Sequence, residues 1–126
     1  MPVLVLPSRP EAVGQACDWV EAAMRSRGWA AGDVTRAVLS VGECVSNAVE
    51  HGRGPVHLSH DVTEDEAQVR VGDEGPGPPR RLLEHPSLPT DALATEGRGL
   101  FIVSQLADRV EPDPGGGVRL TFRPRP

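Results

Sequence analysis

The chain has 126 residues, 38% of them hydrophobic, which is enough for one domain with a core and too few for two. The formal net charge is −5 and all 13 basic residues are scattered arginines, so neither a cationic nucleic-acid surface nor a lysine-dependent Walker A phosphate loop is expected. Two phenylalanines, two tryptophans and no tyrosine also leave little for a base-stacking platform. No apolar run approaches the roughly 20 residues of a membrane span. The opening Met1 to Pro7 is short and uncharged for a signal peptide, so a cytoplasmic protein with no membrane contact is expected.

In chain order, Val3 to Leu6 reads as a short edge strand. Ser8-Arg9-Pro10-Glu11 has the spacing of a capping box, and Val13, Cys17, Val20 and Met24 follow on one helical stripe that Gly28 ends. A second helix is predicted from Asp33 to about His51, with Val34, Val38, Val41, Val45 and Ala48 or Val49 as its apolar stripe and Gly52 and Gly54 as its stop. Cys17 and Cys44 lie inside these helical patterns and read as buried, reduced thiols.

Val56, Leu58 and Val62, then Ala67, Val69 and Val71, alternate with polar residues around an acidic turn, which predicts a β-hairpin. The proline-, glycine- and charge-rich stretch over about 75–96 reads as a lid. A third helix is expected from near Gly99 through Val110, then a tight Asp113–Gly117 turn and a last strand carrying Val118, Leu120 and Phe122. These elements predict one α+β domain over 1–126, a two-layer sandwich whose mixed, mostly antiparallel sheet is covered by helices on one face.

Three places carry candidate chemistry. Glu43, Asn47 and His51 follow one another at i, i+4 spacing, away from the valine stripe. They form either a solvated polar face or a functional row. Asp73 falls on the inward face at the end of the hairpin's second strand, where it is either a turn-capping residue before Gly75 or an acceptor for a buried amine, with Gly75 and Gly77 admitting close backbone approach. Gly97-Arg98-Gly99 precedes the third helix, as a plain hinge or as a phosphate-binding helix start, with Arg80, Arg81 and Arg98 as cations. His57 and His60 are three apart on a strand and point to opposite faces, so they do not share a metal; His51 and His85 are no better candidates.

Taken in order, Glu43-x-x-x-Asn47-Ala48-x-x-His51-Gly52, Asp73-x-Gly75-x-Gly77 and Gly97-x-Gly99-Leu100 resemble the N, G1 and G2 boxes of the GHKL ATPase superfamily. The run from Glu43 to Gly52 is most similar to the anti-sigma-factor serine/threonine kinases, and the absence of a preceding phosphoacceptor hairpin speaks against an ordinary histidine kinase. The resemblance implies a Bergerat-type fold that binds ATP and Mg²⁺. Asn47 would be the metal ligand and Asp73 would read the adenine amine. Gly75 and Gly77 would shape the pocket floor, while Gly97, Arg98, Gly99 and Leu100 would cover the phosphates beside His51.

Glu43 would be the general base toward a serine on a STAS-type anti-sigma antagonist, with a sigma factor as the other partner and a homodimer as the assembly. Thr95 stands where kinase members often carry a basic residue, which leaves γ-phosphate contact to Arg98 or loses it. The alternative is a non-catalytic ATP-binding module that switches partners.

Overall fold

A computed structural model describes residues 1–78, 83 and 98–126. The expected lid lies largely outside these residues, as do Arg80, Arg81, His85, Thr95, Gly97 and the side chain of Arg98.

Strand β1 (Val3–Leu6) leads into helix α1 (Glu11–Ser26). The expected capping box does not form. Pro10 is the N-cap in helical conformation with no side-chain cap bond, and the first turn is closed by backbone bonds from Ala12 and Val13 to the Arg9 and Pro10 carbonyls. The buried stripe of α1 is Ala12, Ala16, Val20 and Met24. It is rotated by one residue from the predicted stripe in its first half, and the predicted Val13 and Cys17 lie at its edge beside Gly42 of the following helix. Cys17 is therefore half-buried, its thiol donating to the Val38 carbonyl at 3.4 Å, and burial, then Asp18 and Glu21, push it above the ordinary thiol value.

Helix α2 (Ala31–His51) begins two residues before its predicted start and ends at Gly52, whose N–H bonds to the Ala48 carbonyl at 2.9 Å. Val34, Ala37, Val41, Cys44, Val45 and Ala48 are buried along it. Strands β2 (Val56–Val62) and β3 (Ala67–Gly72) form the expected hairpin, with Leu58 opposite Val71 and His60 opposite Val69. His57 is exposed, while His60 turns to the helix side and packs its ring 4.4 Å from that of Trp19. Burial holds its imidazole below the ordinary value.

Helix α3 (Arg98–Leu106) stops before Val110, which belongs to a strand, β4 (Arg109–Pro112), that pairs with β5 (Val118–Phe122) across the Asp113–Gly117 turn. The helical spacing of Val110 from Val103 misled the sequence reading; the four-residue strand is too short to show alternation.

Among the described residues the sheet order is β1-β2-β3-β5-β4 and all four pairings are antiparallel, so the α+β sheet, expected to be mostly antiparallel with some mixed pairing, shows only antiparallel pairs there. Helices α1 and α2 pack on each other and cover one face of the sheet. The core between the layers centres on Val20, Met24, Val41, Val45, Leu58, Val69, Leu120 and Phe122. Helix α3 lies antiparallel along α2, since its Gly99 rests against Glu43 and its Leu106 carbonyl accepts from Arg36 at 2.6 Å.

Candidate functional site

Packing α2 on the sheet while α3 lies beside it leaves a gap near the C-terminal half of α2. A cavity of about 290 Å³ opens there, at the lower end of the size of small-molecule sites. Its walls come from four separate parts of the chain: Asn47, Ala48 and His51 of α2, Val71 and Asp73 from the end of β3, Leu100 of α3, and Gly117 and Val118 at the start of β5. The two polar side chains that the sequence reading separated by 26 positions, Asn47 and Asp73, thus line one cavity. Between them the surface is apolar, with Cys44, Ala48, Val71, Leu100 and Val118, which suits a flat heterocycle.

Asp73 makes the turn contacts of the first of its two readings. Its Oδ1 accepts from the Gly75 N–H at 2.5 Å and from the Arg53 N–H at 3.3 Å, and the Glu74 N–H reaches the Arg53 carbonyl at 2.8 Å, tying the chain after β3 to the chain after α2. Its Oδ2 points to Gly52 and has no hydrogen-bond partner among the described residues. Asp73 is thus a turn-forming residue that also lines the cavity. Gly75 serves this arrangement as a donor to Asp73 and is not among the cavity walls, while Gly77 is, together with Pro76 and Pro78.

The fit around Asp73 is tight at Gly52. A β-carbon there would overlap the Asp73 carboxylate and stand 2.5 Å from the Ala48 carbonyl, and the latter is backbone and cannot yield. Gly52→Ala should therefore displace the helix end or the carboxylate. We expect a stability loss of about 1–3 kcal/mol, seen in urea melts, together with weaker nucleotide binding by titration.

Glu43 sits one helical turn before Asn47, half-buried and outside the cavity walls, with its carboxylate against Gly99. A β-carbon on Gly99 would stand 2.6 Å from Glu43 Oε2 and 3.6 Å from Asn47 Nδ2. The start of α3 is thus seated on the Glu43–Asn47 row, and the positive end of its dipole lies there as well. Leu100, the next residue, is buried and enters the cavity wall.

A family model described as the histidine kinase-like ATPase domain matches residues 6–123. The chain belongs to that family. Among curated relatives it is 27% identical, over 94% of its own length and 79% of the relative's, to the serine-protein kinase RsbW of Halalkalibacterium halodurans. Among solved structures it resembles the RsbU and RsbW domains of Rv1364c from Mycobacterium tuberculosis, with a TM-score of 0.62 at 18% identity, which speaks to the fold alone. That match covers 99% of this chain, which spans about a third (32%) of the Mycobacterium chain.

Within this histidine kinase-like ATPase domain the remaining expected residues fall as follows. His51 is on the cavity rim, exposed, with Nε2 3.6 Å from Glu50 Oε2. Gly97 and the Arg98 side chain lie outside the described residues. No cluster of three or more His, Cys, Asp or Glu side chains that would cage a metal occurs among the described residues. No described helix is long and apolar enough to cross a membrane.

The sequence reading missed three contributors. Gly117 and Val118 bring the β4–β5 turn to the cavity, and nothing in a glycine turn indicates which distant strand end it will meet. Cys44 lines the cavity, where burial, then the charge of Glu43, push its thiol up to about 12, so it serves as an inert apolar wall. Gly52 was read as a helix stop and as the last position of the first motif, with no role beside Asp73.

Proposed function

We propose that the chain is an ATP- and Mg²⁺-dependent serine/threonine protein kinase that acts as an anti-sigma factor, phosphorylating a STAS-type antagonist and, in another nucleotide state, binding a sigma factor in the cytoplasm. The observation that carries this reading is the shared cavity of Asp73 and Asn47, with Glu43 one turn away and the start of α3 beside it. Family membership and the likeness to a serine-protein kinase support the same reading.

In this reading Asp73 accepts a hydrogen bond from the exocyclic amine of adenine, while the apolar walls enclose the ring. The Asn47 side-chain oxygen holds Mg²⁺, which supplies charge neutralisation on the triphosphate. The N-terminal turn of α3, with Gly99 and Leu100, faces the phosphates, and the motif assigns Gly97 and Arg98 to the same contact. Glu43 accepts the proton of the incoming serine hydroxyl as its oxygen bonds to the γ-phosphorus and the bond from that phosphorus to the bridging oxygen of ADP breaks. Little covalent work is asked of the protein, because phosphoryl transfer depends chiefly on positioning and electrostatics.

The test is Glu43→Ala with labelled ATP and candidate antagonists. ATP affinity should be preserved while transfer falls by about 100-fold or more, the range of a lost general base. Unchanged transfer would remove Glu43 from the chemistry. A wild-type protein that binds ATP, transfers nothing, and holds its partner differently with ADP than with ATP would instead be a non-catalytic switching module.

A further inference from the structure

The contact between Gly99 and Glu43 is tighter than helix packing requires. Helix α3 could pack on α2 with any small residue at this position if the facing side chain were short. Here the facing group is a carboxylate whose Oε2 would stand 2.6 Å from a β-carbon on Gly99, with Asn47 Nδ2 at 3.6 Å and Glu43 Cβ also at 3.6 Å. Only the Oε2 distance is impossible for a real side chain. That atom is the far end of a flexible group, so a methyl at Gly99 would move the carboxylate and leave both helices in place.

We propose that Gly99 is a positioning residue for Glu43: its bare Cα is the stop against which the carboxylate rests, so that the start of α3 fixes where the base stands relative to Asn47. This rests on the reading of Glu43 as the base. It adds a role for Gly99 that is separate from any contact with phosphate, because it acts on a side chain of α2. It also joins the two ends of the chemistry. A shift of α3 that alters its approach to the phosphates must move the base with it, since both lean on one residue.

The substitution that tests this has opposite expected effects on folding and on chemistry. Gly99 lies within α3 and has no left-handed backbone angle, so alanine fits its conformation and favours the helix. Gly99→Ala should therefore melt at the same temperature as the wild type or higher. Its phosphoryl-transfer rate at saturating ATP should nevertheless fall by about ten- to a hundredfold, the scale of misplacing a catalytic group by about 1 Å.

A double-mutant cycle separates positioning from phosphate contact. In a Glu43→Gln background, which lacks the base, Gly99→Ala should cost less than threefold more in transfer, because the two changes act through one group. Glu43→Asp, one methylene shorter, should tolerate Gly99→Ala with a smaller loss than the wild-type glutamate does. Independent, multiplying losses in the cycle, or a Gly99→Ala protein with wild-type transfer, would overturn the proposal. A wild type that transfers no phosphate at all would strike the kinase reading first and this inference with it, whereas a wild type that transfers normally isolates any failure to Gly99.

Discussion

Asp73→Asn should lose adenine-nucleotide affinity by about ten- to a hundredfold while the protein stays folded. The reason lies in the division of labour between the two carboxylate oxygens. Asparagine keeps an Oδ1 that accepts from the Gly75 and Arg53 N–H groups, so the turn joining the ends of α2 and β3 survives. The second position changes from a carboxyl oxygen acceptor to an amide donor, and it then faces the adenine amine with a like group. A hydrogen bond to a charged partner contributes about 1.5–3 kcal/mol, which is the stated range of affinity. Calorimetric titration with ATP, ADP and GTP reads the effect. Retained ATP affinity in Asp73→Asn, with an unchanged melting temperature, would place the adenine elsewhere.

The second large effect is on stability, at the opposite end of α2. Arg36 is buried and donates to Asp33 Oδ1 at 2.8 Å, to the Leu106 carbonyl at 2.6 Å and to the Arg123 carbonyl at 2.8 Å. Asp33, also buried, receives the Arg125 N–H, and Asp108 receives the Arg123 N–H at 2.6 Å. One guanidinium therefore joins the start of α2, the end of α3 and the chain leaving β5. Its planar fork, which no lysine could reproduce, makes the three bonds at once. Arg36→Met should destabilise the protein by about 3–5 kcal/mol, because Asp33 would remain buried without its cation. That corresponds to roughly 10–20 °C in melting temperature for a chain of this size. The double variant Asp33→Asn with Arg36→Met should lose less than the sum of the single losses.

The same cluster sets an acid dependence. Burial alone would push the Asp108 carboxyl up, but the Arg123 N–H with Arg36 and Arg125 outweighs it and holds the group below the ordinary aspartate value. A carboxyl lowered in the folded state contributes stability that is full above its unfolded value, about 3.9, and is lost as the pH falls through its lower folded value. Urea midpoints measured from neutral pH down to about pH 3 should fall, and the fall should be shallower in Arg36→Met, which lacks one of the lowering charges. An equally steep fall in the variant would take Arg36 out of this linkage.

The contrast between the two ends of α2 explains what could be read in the sequence. The valine stripe, the alternating hairpin and the final strand are periodic over enough residues to be seen directly, and they fixed the two layers. Candidate residues of the site were visible because glutamate, asparagine, aspartate and glycine recur in a family order. The Arg36 cluster has no such signature. Its partners at positions 33, 106, 108, 123 and 125 are ordinary surface residues until the chain folds. The β4 strand was hidden by its length and by Val110 falling in register with the preceding helix. The cavity wall from Gly117 depends on strand order, which a turn sequence does not encode. Gly99 was legible as a glycine before a helix, but its contact with Glu43 exists only once α3 lies antiparallel along α2.

The most direct measurement is a crystal structure with a non-hydrolysable ATP analogue and Mn²⁺, whose anomalous signal locates the cation. Adenine density within hydrogen-bond reach of Asp73 Oδ2, and a Mn²⁺ peak on the side-chain oxygen of Asn47, are expected in the one cavity. Nucleotide bound away from Asp73, or a cation with no contact to Asn47, would contradict the assignment of this cavity as the ATP site.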